Sequence, residues 1–160
     1  MTKAVFLRDV SEGDVPLFFE HQMDPDASAM AAFAPRDRDA FMEHWNTILE
    51  DQAVDKKTIL FDEQVAGYIV CFERGGVRQV GYWIGRSFWR RGIATRALAG
   101  FVDSLETRPL YAYVAKHNVA SLRVLEKCGF TIHGEGMAPA VEGDPEVEEF
   151  VLILGSDTGS

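Results

Sequence analysis

Residues 80–97, VGYWIGRSFWRRGIATRA, change from the period of a strand to the period of a helix within a few positions. Val80, Tyr82 and Ile84 alternate with their neighbours among aromatic and β-branched residues, so this half predicts a strand with two distinct faces. Beyond the basic stretch the apolar spacing becomes three, four and seven, which predicts a helix that begins near Arg91. Its apolar stripe consists of Ile93, Ala97, Leu98, Phe101, Val102 and Leu105.

Gly92 lies at the junction between the predicted strand and the predicted helix. Because glycine has no Cβ, the chain can turn sharply there and a ligand can approach the main chain closely. The first turn of the following helix carries N–H groups without intrahelical partners and the positive end of the helix dipole. The junction is therefore suited to bind a phosphate through backbone donors.

The charge distribution favours an anionic ligand at the same place. The chain carries 16 basic and 25 acidic residues, which gives a net charge of −9. Between Glu73 and Asp103, however, there is no acidic residue. The arginines in that interval are Arg74, Arg78, Arg86, Arg90, Arg91 and Arg96. This local inversion of charge predicts an anion-binding surface, whereas the alternative is a set of solvated arginines beside an ordinary turn.

Residues 89–94, WRRGIA, resemble the loop that binds the acyl-CoA pyrophosphate in the GNAT acyltransferase superfamily, usually Arg/Gln-x-x-Gly-x-Gly/Ala. Trp89 stands where that motif has Arg or Gln. An aromatic pair such as Phe88-Trp89 directly before a basic residue is typical of the RimJ/RimL-type branch, whose members modify N-terminal or small-molecule amines. The loop therefore resembles that branch of the superfamily.

Residues 118–130, NVASLRVLEKCGF, are similar to a second block of the same superfamily, Asn-x-x-Ser/Ala followed by Leu-Glu-Lys-x-Gly-Phe. On its own residues, this block predicts a helix with Asn118 as its N-cap and Gly129 just past its end. Capping alone is thus the alternative role for Asn118. With both blocks in order, the resemblance covers residues 61–130 well and the ends of the chain in outline.

The resemblance implies an acetyl-CoA-dependent N-acetyltransferase in which the amine attacks the thioester directly within a ternary complex. Tyr82, Trp83 and Ile84 would line the pantetheine arm and the thioester. The pyrophosphate would be wrapped by Arg90, Arg91, Gly92, Ile93, Ala94 and Thr95. Asn118 would bind the pantetheine amide, and Ser121 is the best candidate to protonate the sulfur or hydrogen-bond to it.

Two residues that many superfamily members use for acid–base chemistry are missing. Leu125 occupies the position of a tyrosine general acid, and Tyr113 occupies that of a glutamate general base on strand five. Ser121 is therefore the substitute acid, although a role as a small packing residue is an equal alternative. The candidates for the base are Glu135, His21, His44, Glu73 and a water chain, and nothing in the sequence selects among them.

The order of the predicted elements is β, α, α, β, β, β, α, β, α, β, β, which indicates a single α/β domain over residues 1–155. We expect a mixed, mostly antiparallel sheet of about seven strands flanked by about four helices. The resemblance adds a V-shaped splay between strands four and five. The predicted strands are residues 4–10, 54–61, 64–73, 77–84, 110–115, 131–136 and 146–154. Residues 39–51 are predicted as a helix, 23–38 and 137–145 as loops or broken structure, and 156–160 as a disordered tail.

Composition narrows the class of protein. The chain has 160 residues, of which 47% are apolar, and these suffice for the core of one domain. Its apolar runs are far shorter than the roughly 18 residues of a membrane span, and no leader is recognisable, so we expect a cytoplasmic protein without membrane partners. A net charge of −9 disfavours a nucleic-acid surface and suits a cationic amine, either a small molecule or a peptide.

The remaining expectations concern cysteines, histidines and alternative functions. Cys71 and Cys128 form no CxxC pattern and are expected to be buried thiols. The histidines lack the close spacing of zinc ligands, so no metal is expected. The resemblance implies a homodimer as an expected assembly. The main alternative function is a non-catalytic acyl-CoA sensor or partner-binding module, and an antibiotic or polyamine acetylase is the second enzymatic alternative.

Overall fold

The chain folds around one seven-stranded sheet. The structure, a computed structural model, describes residues 4–26, 37–137 and 148–155. Its strands are β1 (Val5–Asp9), β2 (Asp55–Phe61), β3 (Gln64–Arg74), β4 (Val77–Ile84), β5 (Leu110–Ala115), β6 (Thr131–Met137) and β7 (Glu148–Leu154). They lie in the order β1-β2-β3-β4-β5-β7-β6, and every neighbouring pair is antiparallel except the parallel pair β4–β5. The predicted mixed, mostly antiparallel sheet is confirmed.

Four α-helices flank the sheet in the described part of the chain, as predicted. They are α1 (Val15–Gln22), α2 (Arg38–Glu50), α3 (Ile93–Ser104) and α4 (Val119–Lys127). Helix α2 begins one residue earlier than predicted, because the Asp37 carboxylate accepts the Ala40 N–H at 2.8 Å and caps the helix. Most of the predicted loops 23–38 and 137–145, and the tail predicted at 156–160, lie outside the described residues.

The two faces of the sheet carry separate apolar clusters. Side chains alternate along β3, so that Ile69 packs with α3 and α4 on one face and Tyr68 packs with α1 and α2 on the other. On the second face the ring centroids of Phe18 and Trp45 are 5.0 Å apart, and those of Trp45 and Tyr68 are 4.8 Å apart. Aromatic packing of this kind fixes α1 and α2 against the sheet.

A buried carboxylate ties the start of α1 to the first two strands. Asp14 accepts hydrogen bonds from both terminal nitrogens of Arg8 at 2.7 and 2.8 Å, from the Thr58 hydroxyl at 2.7 Å and from the Ser11 N–H at 3.0 Å. Burial alone would raise the pKa of Asp14, but these donors outweigh burial and hold the pKa well below its usual range. Asp14 therefore sets the position of α1 on the sheet.

Strands β4 and β5 meet at a single registered pair, Gln79 with Tyr111. The ladder between β3 and β4, by contrast, runs from Arg74 opposite Val77 to Gly67 opposite Ile84. The two parallel strands therefore diverge along the second half of β4, as the predicted splay requires. This divergence opens the sheet beside residues 80–84.

Close approach of two backbones shapes the end of β4. A Cβ added to Gly67 would overlap the Trp83 carbonyl oxygen and lie 2.9 Å from the Trp83 carbonyl carbon. Real Cβ atoms do not approach backbone atoms so closely, so a side chain at residue 67 would push the end of β4 away. Glycine at this position is therefore required for the observed path of Trp83.

We expect Gly67→Ala to lower the free energy of unfolding by roughly 2 kcal/mol or more, because the overlap is with main chain and not with a flexible side chain. Gly100→Ala is the matched control, since Gly100 lies in α3 and its added Cβ would meet no atom within 4 Å. That control should raise the free energy of unfolding by about 0.5–1 kcal/mol. Urea denaturation measures both changes, and equal stabilities would contradict the close approach.

Candidate active site

A cavity of about 520 Å³ opens between the end of β4 and the first turns of α3 and α4. The residues predicted for the cofactor and for catalysis come together on its wall, with Arg91 as the exception. Those on the wall are Tyr82, Trp83, Ile84, Arg90, Gly92, Ile93, Ala94, Thr95, Asn118 and Ser121. Segments that are distant in sequence thus share one surface because β4, α3 and α4 converge there.

The N-terminus of α3 points its backbone at this cavity. Gly92 is the N-cap and has the left-handed φ of 73°, and its carbonyl accepts the Arg96 N–H at 3.2 Å. The N–H groups of Ile93, Ala94 and Thr95 precede that first intrahelical bond and are left for a ligand or for water. A Cβ added to Gly92 would meet no atom within 4 Å, so the space beside it is open. These features are suited to bind an anion at the helix start.

Arg91 lies outside the cavity wall. Its guanidinium carbon and that of Arg96 are each 5.9 Å from the centroid of the Phe61 ring on β2. The Arg96 side chain also donates to the Arg91 carbonyl oxygen at 3.1 Å. Arg91 therefore covers Phe61, and Arg96 fastens the main chain of the loop.

Other arginines of the basic interval pair with distant carboxylates. Arg86 lies 2.6 Å from an Asp26 carboxylate oxygen, and Arg78 lies 2.9 Å from one of Asp55. The local inversion of charge is thus partly compensated by acidic residues from other segments. Arg90 stays on the cavity wall, where it can face an anionic ligand.

A hydrogen bond joins β4 to α4 across the cavity. The Tyr82 and Ser121 hydroxyl oxygens are 2.7 Å apart, and either can donate. Burial raises the pKa of Tyr82 to about 12, and the hydrogen bond from Ser121 lowers it in part, so the phenol stays protonated at neutral pH. The Ser121 N–H donates to Asn118 Oδ1 at 3.2 Å, which confirms Asn118 as the N-cap of α4. Leu125 is buried in the core, as an apolar residue should be.

Sequence reasoning missed several residues of the same wall, namely Phe88, Trp89, Ala120, Arg123, Val124 and Lys127. Arg123 follows Ala120 by three residues and Lys127 follows Arg123 by four, so the periodicity of α4 was a usable signal for these two cations. No local pattern indicates the role of Trp89, whose Nε1 donates to the Ile84 carbonyl oxygen at 2.9 Å. The indole thereby anchors the basic loop to the end of β4, at the motif position where Arg or Gln is usual.

A second cavity of about 480 Å³ lies on the opposite face, between α1, α2, β3 and β4. Tyr82 and Trp83 belong to the walls of both cavities. These two residues, where β4 diverges from β5, form the junction of the two cavities.

The structure separates the candidate bases. His44 and Glu73 border the second cavity, whereas His21 lies beneath Gly85 with its ring 6.4 Å from that of Phe88. Burial lowers the pKa of His21, which keeps its imidazole neutral near neutral pH. Glu135 pairs with Lys116 at 3.0 Å and belongs to neither cavity wall. Of the candidate bases, His44 and Glu73 are thus the two that border a cavity.

Metal clusters and membrane spans are absent from the part of the chain that the structure describes. No three side chains of His, Cys, Asp or Glu gather there as potential metal ligands. None of the described helices has the length and apolarity needed to cross a membrane. Both cysteines are free thiols, with Cys71 buried and Cys128 half-buried.

Known proteins resemble this chain along most of its length. The sequence model of the family described as "Acetyltransferase (GNAT) domain" matches residues 4–131. Spermidine N(1)-acetyltransferase of Escherichia coli (strain K12) is 28% identical over 144 residues, which cover 84% of this chain and 76% of that protein. The family description does not specify the RimJ/RimL-type branch, which stays a prediction.

Solved structures share the fold. The GNAT-family acetyltransferase of Bacillus anthracis superposes with a TM-score of 0.80 at 15% identity, covering 96% of each chain. Spermidine N-acetyltransferase of Vibrio cholerae, crystallised with CoA and spermine, also superposes with a TM-score of 0.80, at 16% identity over 94% of each chain. At these identities the likeness shows the fold alone.

We expect Gly92→Asp to abolish CoA binding and Gly92→Asn to retain most of it. Both side chains tolerate the left-handed conformation, but only aspartate puts a negative charge beside the helix start. Titration calorimetry with CoA compares the two variants, and the asparagine form controls for the added bulk. An unchanged affinity in Gly92→Asp would contradict the placement of the pyrophosphate.

Proposed function

This chain belongs to the GNAT acetyltransferase family, and we propose that it transfers the acetyl group of acetyl-CoA to a primary amine held in the second cavity. The observation that carries the proposal is the junction of the two cavities at Tyr82 and Trp83. Two relatives are named for spermidine, and one of them was crystallised with CoA and spermine. These names support an amine as the acceptor.

The wall of the first cavity has the donors that a CoA molecule needs. The open backbone at Gly92 and the first turn of α3 would hold the diphosphate, with Arg90 and Lys127 as nearby cations. Because Asn118 Oδ1 is engaged in capping α4, its side-chain NH₂ group is the donor for a pantetheine carbonyl. When bound, acetyl-CoA supplies an activated thioester carbonyl to the reaction.

Ser121 and Tyr82 would supply the proton that the leaving group requires. Each hydroxyl is protonated at neutral pH, and the hydrogen bond between them allows Tyr82 to replace a proton given up by Ser121. The pair lies where the two cavities meet, so it has access to the reacting groups. In this arrangement the hydroxyl pair replaces the tyrosine general acid whose position Leu125 occupies.

Removal of the amine proton requires less catalytic help from the protein than protonation of the leaving group does. A primary amine attacks as its free base, and His44, on the wall of the second cavity, could accept its proton directly or through water, whereas Glu73, at the far end of that wall, could do so only through water. Positioning of an already neutral amine at the junction lowers the demand on either residue further. We therefore assign the base to the second cavity and do not choose between these two residues.

Some features of the proposed activity come from the sequence alone. We expect acetyl-CoA as the acyl donor, and a small-molecule or peptide amine as the acceptor. The cytoplasmic location and the homodimer stay predictions. None of them changes the chemistry at the junction.

Release of free thiol from acetyl-CoA in the presence of a panel of primary amines tests the proposed function. We expect steady thiol release that depends on the amine and saturates with acetyl-CoA, because both cavities open to the same junction. Calorimetry with CoA accompanies the assay. Tight CoA binding without turnover on any amine would favour the non-catalytic sensor and overturn the proposal.

We expect Ser121→Ala and Tyr82→Phe each to lower kcat by about 100-fold or more, the range of a lost general acid. The dissociation constant for CoA should change much less, since neither hydroxyl belongs to the anion site. Ser87→Ala is the matched control, because Ser87 is exposed and lies on neither cavity wall. Turnover equal to that of the parent protein in Ser121→Ala would remove the hydroxyl pair from the mechanism.

A further inference from the structure

Aromatic side chains form much of the wall of the second cavity. Its wall includes Phe18, Phe41, Trp45, Tyr68, Phe72, Tyr82 and Trp83. Phe18 and Trp45 are almost fully buried, and their close ring packing with Tyr68 leaves the wall little freedom to rearrange. A volume of about 480 Å³ is typical of small-molecule sites. The middle of this cavity therefore favours an apolar segment of a ligand.

The charged groups of the cavity lie at the end far from the junction. Trp83 on β4 pairs with Tyr68 on β3. Glu73 on β3 pairs with Arg78, which lies five residues before Trp83 on β4. With a rise of about 3.3 Å per residue, this offset corresponds to about 16 Å. Asp51, just after α2, borders the cavity together with Glu73, and both residues are exposed. The cavity thus runs from the junction at Tyr82 and Trp83, along aromatic rings, to an acidic rim formed by Asp51 and Glu73.

The sign of the charges restricts the ligand further. No lysine or arginine is found on this wall within the described residues, and its titratable side chains besides Tyr82 and Tyr68 are Asp51, Glu73 and His44. A ligand carboxylate would find no cationic partner on the wall itself, which disfavours free amino acids. Lys56 lies beside the rim, where its ammonium donates to the Asp51 and Val54 carbonyl oxygens at 3.0 and 3.3 Å. A positive charge at the rim would find two carboxylates, while a positive charge in the middle would have to leave water for aromatic surface.

We propose that the acceptor is a long diamine with an apolar centre, acetylated at the end beside Trp83 and held at its other ammonium by Asp51 and Glu73. The inference rests on the proposed function, whose acceptor cavity it specifies. It differs from a polyamine site because positive charges between the two ends of the ligand are disfavoured. The two ends of the ligand are recognised by different chemistry, so the unreacted ammonium orients the molecule.

A pair of isosteric amines tests this directly. Spermine and 1,12-diaminododecane have equal chain lengths, but spermine replaces two methylene groups with charged amines. With saturating acetyl-CoA, we expect kcat/KM from thiol release to be about tenfold or more higher for 1,12-diaminododecane than for spermine or 1,4-diaminobutane. A preference for spermine or for 1,4-diaminobutane would overturn the inference and leave the proposed function intact.

Variants of the rim provide the second arm of the test. We expect Asp51→Asn to lower kcat/KM for 1,12-diaminododecane about threefold, the effect of an exposed ion pair, and Asp51→Asn with Glu73→Gln to lower it further. Glu50→Gln is the matched control, since this exposed carboxylate adjoins Asp51 but does not border the cavity. Equal rates for the double variant and the control would overturn the role of the rim.

A measurement of diamine binding distinguishes a failure of this inference from a failure of the proposed function. Calorimetry with 1,12-diaminododecane on CoA-saturated protein reports the cavity without requiring turnover. Saturable binding that weakens in the double variant would support the inference even if no amine releases thiol, in which case the proposed function alone fails. The absence of binding, together with thiol release from other amines, would overturn the inference alone.

Discussion

The site depends on a sheet that does not close between its two parallel strands. Strands β4 and β5 are joined at Gln79 and Tyr111, and beyond this pair the strands separate. A continued ladder would have filled the gap with backbone hydrogen bonds and isolated the two faces of the sheet from each other. Because the ladder stops, space on the α3–α4 face and space on the α1–α2 face meet at Tyr82 and Trp83.

Opening a sheet exposes strand ends, and this protein holds the open end of β4 by contacts on several sides. Gly67 admits the Trp83 carbonyl from the side of β3, and the Trp89 indole binds the Ile84 carbonyl from the side of the basic loop. The bond between Tyr82 and Ser121 spans the gap itself. A strand end fixed in this way positions reacting groups more accurately than a free loop, as an active site requires.

Local patterns predicted the elements well because their causes are local. The alternation around Val80 and Ile84, the helical stripe after Gly92 and the cap at Asn118 each follow from neighbouring residues, and the structure has all of them. The features that sequence reasoning missed are contacts that no local pattern specifies. The Trp89 bond to Ile84, the pairing of Arg86 with Asp26 and the hydroxyl pair of Tyr82 and Ser121 depend on how the elements pack. The second cavity was missed for the same reason, since its wall combines side chains of α1, α2, β3 and β4.

The buried carboxylate of Asp14 gives the two halves of the molecule unequal resistance to acid. Its low pKa means that its contribution to stability is complete above the ordinary carboxyl pKa of about 4 and declines as protons displace Arg8 at lower pH. Asp14 secures α1, and α1 carries Phe18 on the wall of the second cavity, whereas the first cavity is built on α3 and α4. Progressive acidification should therefore loosen α1 and the second cavity, which is proposed to hold the acceptor, before it affects the α3–α4 side that carries the first cavity.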